Sequence, residues 1–180
     1  IYICSNVKID KDVVIEPHVY LGNNVVIKSS VLIKSNSYID DTYINSFSEV
    51  GPTCRIRKNT KIGKSVKVGN FVEIKNSSIG NKTKINHLAY IGDAVIGSST
   101  NIGAGTITCN YDGTNKNKTI IGNNVFIGSN CSLIAPLKIG NKSFIAAGSA
   151  ISKSIAQNDF SIVRAKQQII KNGRKKFIKV

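Results

Sequence analysis

The chain has 180 residues, enough for one domain with a sizeable core and too few for two large ones. Its 25 Lys and Arg against 10 Asp and Glu leave a net charge of +15, which favours an anionic partner: nucleic acid, a phosphorylated small molecule or a membrane surface. The basic residues are scattered, with one cluster at Arg174, Lys175 and Lys176, and no RNA-binding aromatic motif, zinc knuckle or helix-turn-helix pattern goes with them, so nucleic acid is not expected as a partner.

From the N-terminus onward the chain counts in sixes. Aliphatic anchors fall at Ile3, Ile9, Ile15, Leu21, Ile27, Ile33 and Ile39, and after a five-residue step at Ile44, Val50, Ile56, Ile62, Val68 and Ile74. Further five-residue steps lead to Ile79, Ile85 and Ile91, and then to Ile96 and Ile102. After a break the anchors return at Ile121, Ile127, Leu133, Ile139, Ile145 and Ile151. Small or β-branched residues such as Val25, Cys54, Val66, Ala89 and Cys131 stand two positions before many anchors, and Gly often stands one position after.

A period of six fits neither a helix nor a long alternating strand. It fits a strand of about four residues followed by a tight turn in which Gly or Asn takes a positive φ. Three such strands close a triangular coil, and coils stack because none can bury its inner face alone. The expected fold is all-β: a single-stranded parallel β-helix of about eight coils, ~40 Å tall at ~4.8 Å per coil. Residues 1–155 form this prism, a loop at about 103–118 is extruded from it, and residues 156–180 make a tail that leaves it. The period does not fix the hand of the coil.

The break is where chemistry is expected, because long loops in regular scaffolds are more often functional than accidental. It opens shortly after His87, one of only two histidines. Glu73 lies 14 residues earlier; in an 18-residue coil that offset brings a carboxylate near the imidazole, as a general base requires. His18 stands alone at an outward position. Arg57, Lys75, Lys116 and Arg164 are individually ordinary surface charges, but with Tyr90 and Asn101 they could form a wall for phosphate and hydroxyl groups. Two histidines are too few for a three-histidine zinc site, so no metal is expected. The cysteines are widely spaced without a C-x-x-C pair, which suggests neither zinc nor a disulfide framework and fits a reducing cytoplasm. No segment has the length and apolarity of a helical membrane span, and no signal peptide is visible, so no membrane association is expected. Methionine is absent even at position 1, which reads as a piece of a longer protein or a processed product.

The segments V-G-P-T-C-R-I-R, V-G-N-F-V-E-I-K-N, N-H-L-A-Y-I-G-D-A and N-I-G-A-G-T-I-T-C-N-Y-D-G, with the following I-G-S and A-P, carry a more specific signal. From about Val50 to Arg164 the chain resembles the C-terminal half of the bifunctional bacterial N-acetylglucosamine-1-phosphate uridylyltransferase / glucosamine-1-phosphate N-acetyltransferase, a left-handed β-helix of the hexapeptide acyltransferases. The resemblance implies acetyl transfer from acetyl-CoA, as cosubstrate, to glucosamine-1-phosphate in UDP-N-acetylglucosamine biosynthesis. It implies His87 as general base with Glu73 orienting it, and Arg57, Lys75, Tyr90, Asn101 and Lys116 around the sugar phosphate. Ala104, Asn110, Tyr111, Ser129, Ala147 and Arg164 would line the acetyl-CoA site, in a cytoplasmic homotrimer whose sites are shared between subunits and whose tail packs on a neighbour. The family usually ends with Trp-Arg-Arg and carries Ala-Pro-Gln after the Arg164 position; here stand Gly173-Arg174-Lys175-Lys176 and Ala165-Lys166-Gln167. No Gly-rich nucleotide loop marks the nucleotidyltransferase half. Another sugar-amine acyltransferase of this fold, or a non-catalytic trimeric scaffold, are the competing expectations.

Overall fold

The computed structural model describes residues 1–176, with side chains through Arg174. Residues 177–180 of the expected tail, and the side chains of Lys175 and Lys176, lie outside the described residues. The chain winds through three parallel sheets in strict rotation. The first sheet has nine strands, from Tyr2–Ile3 to Ala150–Ile151; the second has eight, from Lys8–Ile9 to Leu137–Ile139; the third has nine, from Val14–Ile15 to Phe160–Ser161. The solenoid makes about nine turns and is consistent with the left-handed β-helix expected. A single 3₁₀ turn, Gly173–Lys176, is the only helical element among the described residues.

The anchors are the core. From Leu21 to Ile151 they are at most 3% exposed, each worth ~1.5–3 kcal/mol of burial. Ile3 and Ile9, in the first coil with no layer beneath them, are 50% and 42% exposed. Burial here is a property of stacking and not of the side chain alone.

The turns differ from expectation in one respect. The left-handed conformation falls mostly on Asn, Asp, Ser and Lys, for example Asn24, Ser65, Lys82 and Asn124. The glycines after the anchors serve another need. A Cβ on Gly80 would lie 2.5 Å from the Gly97 carbonyl carbon, and one on Gly97 would lie 2.5 Å from that of Gly122. Here glycine permits successive coils to approach at the corner.

The five-residue steps all occur where the chain passes from the first sheet to the second. At two of these corners a hydroxyl folds back on the carbonyl two residues earlier: Thr42 Oγ1 on Asp40 O (2.7 Å) and Ser77 Oγ on Lys75 O (2.8 Å). Coils containing such a corner are 17 residues long, as the pairing of Asn70 with His87 shows.

Two expected boundaries move. The extrusion does not begin at Gly103: Ile107–Cys109 is a regular strand paired with Ser132–Ile134, and only the stretch from Asn110 to Lys118 leaves the coil. The inward residue of that strand is Thr108, whose Oγ1 accepts the Gly92 N–H at 2.8 Å. A polar anchor interrupted the aliphatic count without interrupting the coil. Nor does the prism end at 155, for Phe160–Ser161 pairs with Phe144–Ile145.

Candidate active site

The first sheet presents a cationic wall. Arg57, Lys75 and Gly92 stand one above another in register, as do Glu73 and Tyr90 beside them. Arg57 donates from Nε (2.9 Å) and Nη2 (2.7 Å) to Glu73 Oε1, which leaves part of the guanidinium fork free. Lys75 is only 8% exposed. Its ammonium is held below the usual lysine range, first by Lys116 approaching from the extruded loop, then by burial and by Arg57, against the opposing pull of Asp93. Two lysines and an arginine thus concentrate positive charge at this edge of the first sheet.

Asp93 ties the loop to this wall. It accepts from Asn76 Nδ2 at 2.5 Å and from Asn110 Nδ2. Burial pulls the Asp93 carboxyl upward, but Asn76, Asn110, Lys75 and Lys116 outweigh it, and the net shift is down. Within the loop Asp112 accepts the backbone N–H groups of Thr114 (2.9 Å) and Asn115 (2.7 Å) and the Asn117 amide (2.8 Å). The loop is therefore a built hairpin, closed by a bridge between Tyr111 and Lys116. Gly92 leaves room for two polar groups: a Cβ there would meet the Tyr90 hydroxyl at 2.5 Å and Asn110 Nδ2 at 2.9 Å.

A second feature runs up the edge between the third sheet and the first. His87 ends its strand at this edge, exposed as expected. Continuing the paired residues Ile85, Ile102, Ile127 and Ile145 two positions further places His87, Ala104, Ser129 and Ala147 in one column, a coil apart. At ~4.8 Å per coil the column is ~14 Å long. The coils are fastened there by Asn130 N–H to Ala104 O (2.7 Å) and Gly148 N–H to Ser129 O (2.8 Å). Arg164 closes the far end, its Cδ 3.7 Å from where a Cβ on Gly148 would lie. An imidazole thus stands at one end of a column of small residues and a guanidinium at the other.

Glu73 does not orient His87. The intervening coil has 17 residues, so Asn70 stands directly beneath His87, with its Oδ1 2.9 Å from Nδ1. Glu73 lies past the corner on the first sheet, held by Arg57. Other expected residues are separated within the chain. Asn101 is on the third sheet, between Lys84 and Phe126, away from Arg57, Lys75 and Tyr90. Asn110 and Tyr111 are on the loop, at the opposite edge from Ala104, Ser129 and Ala147; the Asn110 amide is committed to Asp93, and the Tyr111 hydroxyl donates to Gly113 O at 2.6 Å. Cys54 is core, its thiol pushed up to about 11 by burial. Asn70, Asp93 and Gly92 were missed; a 17-residue offset from His87 was the available signal for the first. No group of three His, Cys, Asp or Glu among the described residues is arranged to hold a metal ion.

Residues 38–125 match the family model described as GMPPB C-terminal domain, and residues 1–35 and 118–153 match bacterial transferase hexapeptide (six repeats). Between them the two matches run over residues 1–35 and 38–153, and the chain carries the repeats of the bacterial hexapeptide transferases. Over 167 residues it is 49% identical to "Bifunctional protein GlmU" of Wolbachia pipientis wMel, covering 93% of this chain and 39% of that protein. Over 174 residues it is 49% identical to the protein of the same name from Bartonella bacilliformis, covering 97% of this chain and 38% of that one. The chain thus spans about two fifths of the length of these curated relatives. Among solved structures it is similar to LpxA, a UDP-N-acetylglucosamine acyltransferase from Bacteroides fragilis 9343, with TM-score 0.67, 24% identity, and 86% of this chain and 66% of that chain covered. At that identity the likeness concerns the fold. No helix among the described residues is long and apolar enough to cross a membrane.

Proposed function

We propose that this hexapeptide-repeat chain is a glucosamine-1-phosphate N-acetyltransferase that uses acetyl-CoA and works in the bacterial cytoplasm as a homotrimer. The observation that carries the reading is His87 at the foot of the Ala104–Ser129–Ala147 column, around the corner from the Arg57–Lys75–Lys116 wall. The likeness to the GlmU relatives supports it. The wall suits a sugar phosphate, with Arg57 able to present a fork and Lys75 and Lys116 supplying point charges. The column suits an extended pantetheine arm, with Arg164 meeting its phosphates. The His87 imidazole removes a proton from the sugar amine as nitrogen attacks the thioester carbonyl; the tetrahedral intermediate then collapses and releases the CoA thiolate.

The separation of the parts supports sharing between subunits. The first sheet carries the wall and the exposed Ile107 and Ile134; the third carries Asn101 and the stacked, exposed Phe126, Phe144 and Phe160, with centroids 4.7 and 5.6 Å apart. Packing the first sheet of one prism against the third of the next closes a ring of three, brings Asn101 to the wall and covers both apolar strips. The tail would join this contact, since Ile169 is 85% exposed in the isolated chain.

The test is release of CoA thiol from acetyl-CoA with glucosamine-1-phosphate. His87→Ala should lower kcat by ~10²–10⁴-fold, the usual worth of a general base, while assembly stays intact. No thiol release by the wild-type chain, or near-normal turnover by His87→Ala, would refute the proposal.

A further inference from the structure

One polar contact at the site has no place in the scheme above. Asn70 Oδ1 lies 2.9 Å from His87 Nδ1. An amide oxygen can only accept, so this contact is a hydrogen bond when the neutral imidazole carries its proton on Nδ1, which leaves the lone pair on Nε2. Free histidine prefers the reverse tautomer, with the proton on Nε2. A partner on Nδ1 therefore decides which nitrogen can act as base.

The backbone makes this contact durable. Asn70 and His87 are register partners at the ends of adjacent strands, and the Leu88 N–H donates to Asn70 O at 3.1 Å. Both chains then turn through left-handed residues of matching geometry, Phe71 at φ 57° and Leu88 at φ 51°. The two side chains consequently leave the same corner one coil apart. Gly69 permits the approach, because a Cβ there would overlap the Asn86 carbonyl.

We infer that Asn70 is a positioning residue, which holds His87 in the Nδ1–H tautomer and aims Nε2 along the edge column. The inference rests on His87 being the base. The two carboxylates nearest in sequence are engaged elsewhere, Asp93 by Asn76 and Asn110 and Glu73 by Arg57, so a neutral amide orients the imidazole. Unlike a carboxylate, it adds no anion beside the incoming sugar phosphate.

The tautomer is readable without turnover. The chain has only two histidines, His18 and His87, so ¹⁵N-labelled imidazole signals of the intact protein are assignable with His87→Ala as reference. At a pH where the ring is neutral, wild type should show His87 protonated on Nδ1. Asn70→Ala should move it toward the Nε2–H form and lower kcat by ~10- to ~10²-fold, a part of what a general base supplies, with the KM values for both substrates little changed. Asn70→Asp, which keeps an acceptor at the same place, should keep the Nδ1–H tautomer and recover most of the turnover. An Nε2–H tautomer in wild type, or an Asn70→Ala variant with unaltered tautomer and kcat, overturns the assignment. If His87→Ala is inactive while Asn70→Ala is normal, only Asn70 loses its role; if His87→Ala retains turnover, the assignment falls with the function it serves.

Discussion

Replacing Lys75 by methionine keeps the length of the side chain and removes its charge. The native residue is 8% exposed, and its ammonium pKa is held down by Lys116 first and by burial second. In the free protein the loss of one cation relieves repulsion, so the melting temperature should hold or rise slightly. With sugar phosphate bound, the same charge makes a charge-assisted hydrogen bond, worth about 1.5–3 kcal/mol. The expected fall in kcat/KM for glucosamine-1-phosphate is therefore ~10- to ~150-fold. Thiol release should be measured in parallel with unphosphorylated glucosamine at saturating acetyl-CoA, where kcat/KM should barely change. Added salt should shrink the difference between wild type and variant by screening the phosphate contact. Equal losses on both amines, or a marked drop in melting temperature, would show Lys75 to be structural and remove the phosphate site from the first sheet.

Gly92→Ala puts a Cβ 2.5 Å from the Tyr90 hydroxyl and 2.9 Å from Asn110 Nδ2. It should raise KM for the sugar phosphate while the coils still melt cooperatively; an unchanged KM by the same thiol assay would exclude both groups from the site. Asp93 gives a pH test. Its folded pKa is lowered by hydrogen bonds and nearby lysines that outweigh burial, so its contribution is full above the unfolded carboxylate value of about 3.9 and is lost as pH falls through the lower folded value. Wild type should therefore lose more stability than Asp93→Asn on acidification from about pH 5, and parallel denaturation curves across that range would count against the staple.

The period of six and the chemistry of the anchors are local facts of the chain, and they were sufficient for the coil, the faces and the inward column. Any residue whose neighbours follow from counting, such as His87 pointing outward at a corner, was legible in the same way. Counting failed where a polar side chain took an inner place, as at Thr108, and where a shorter corner changed the coil length. A single residue fewer in the coil put Asn70 instead of Gly69 beneath His87 and left Glu73 beneath Tyr90, because register in parallel strands is set by the sum of all turns below and not by the composition of any one of them.

The pairing of Lys75 with Lys116 and of Asp93 with Asn110 joins the body of the coil to a loop that has no period at all. Only folding in three dimensions brings those groups together, since the energy of their contact depends on distances and burial that a linear spacing does not encode. The amino-acid order thus specified the scaffold and supplied the chemical groups, while the tertiary arrangement chose which of them face one another: an amide for the histidine, an arginine for the glutamate, and two lysines for each other.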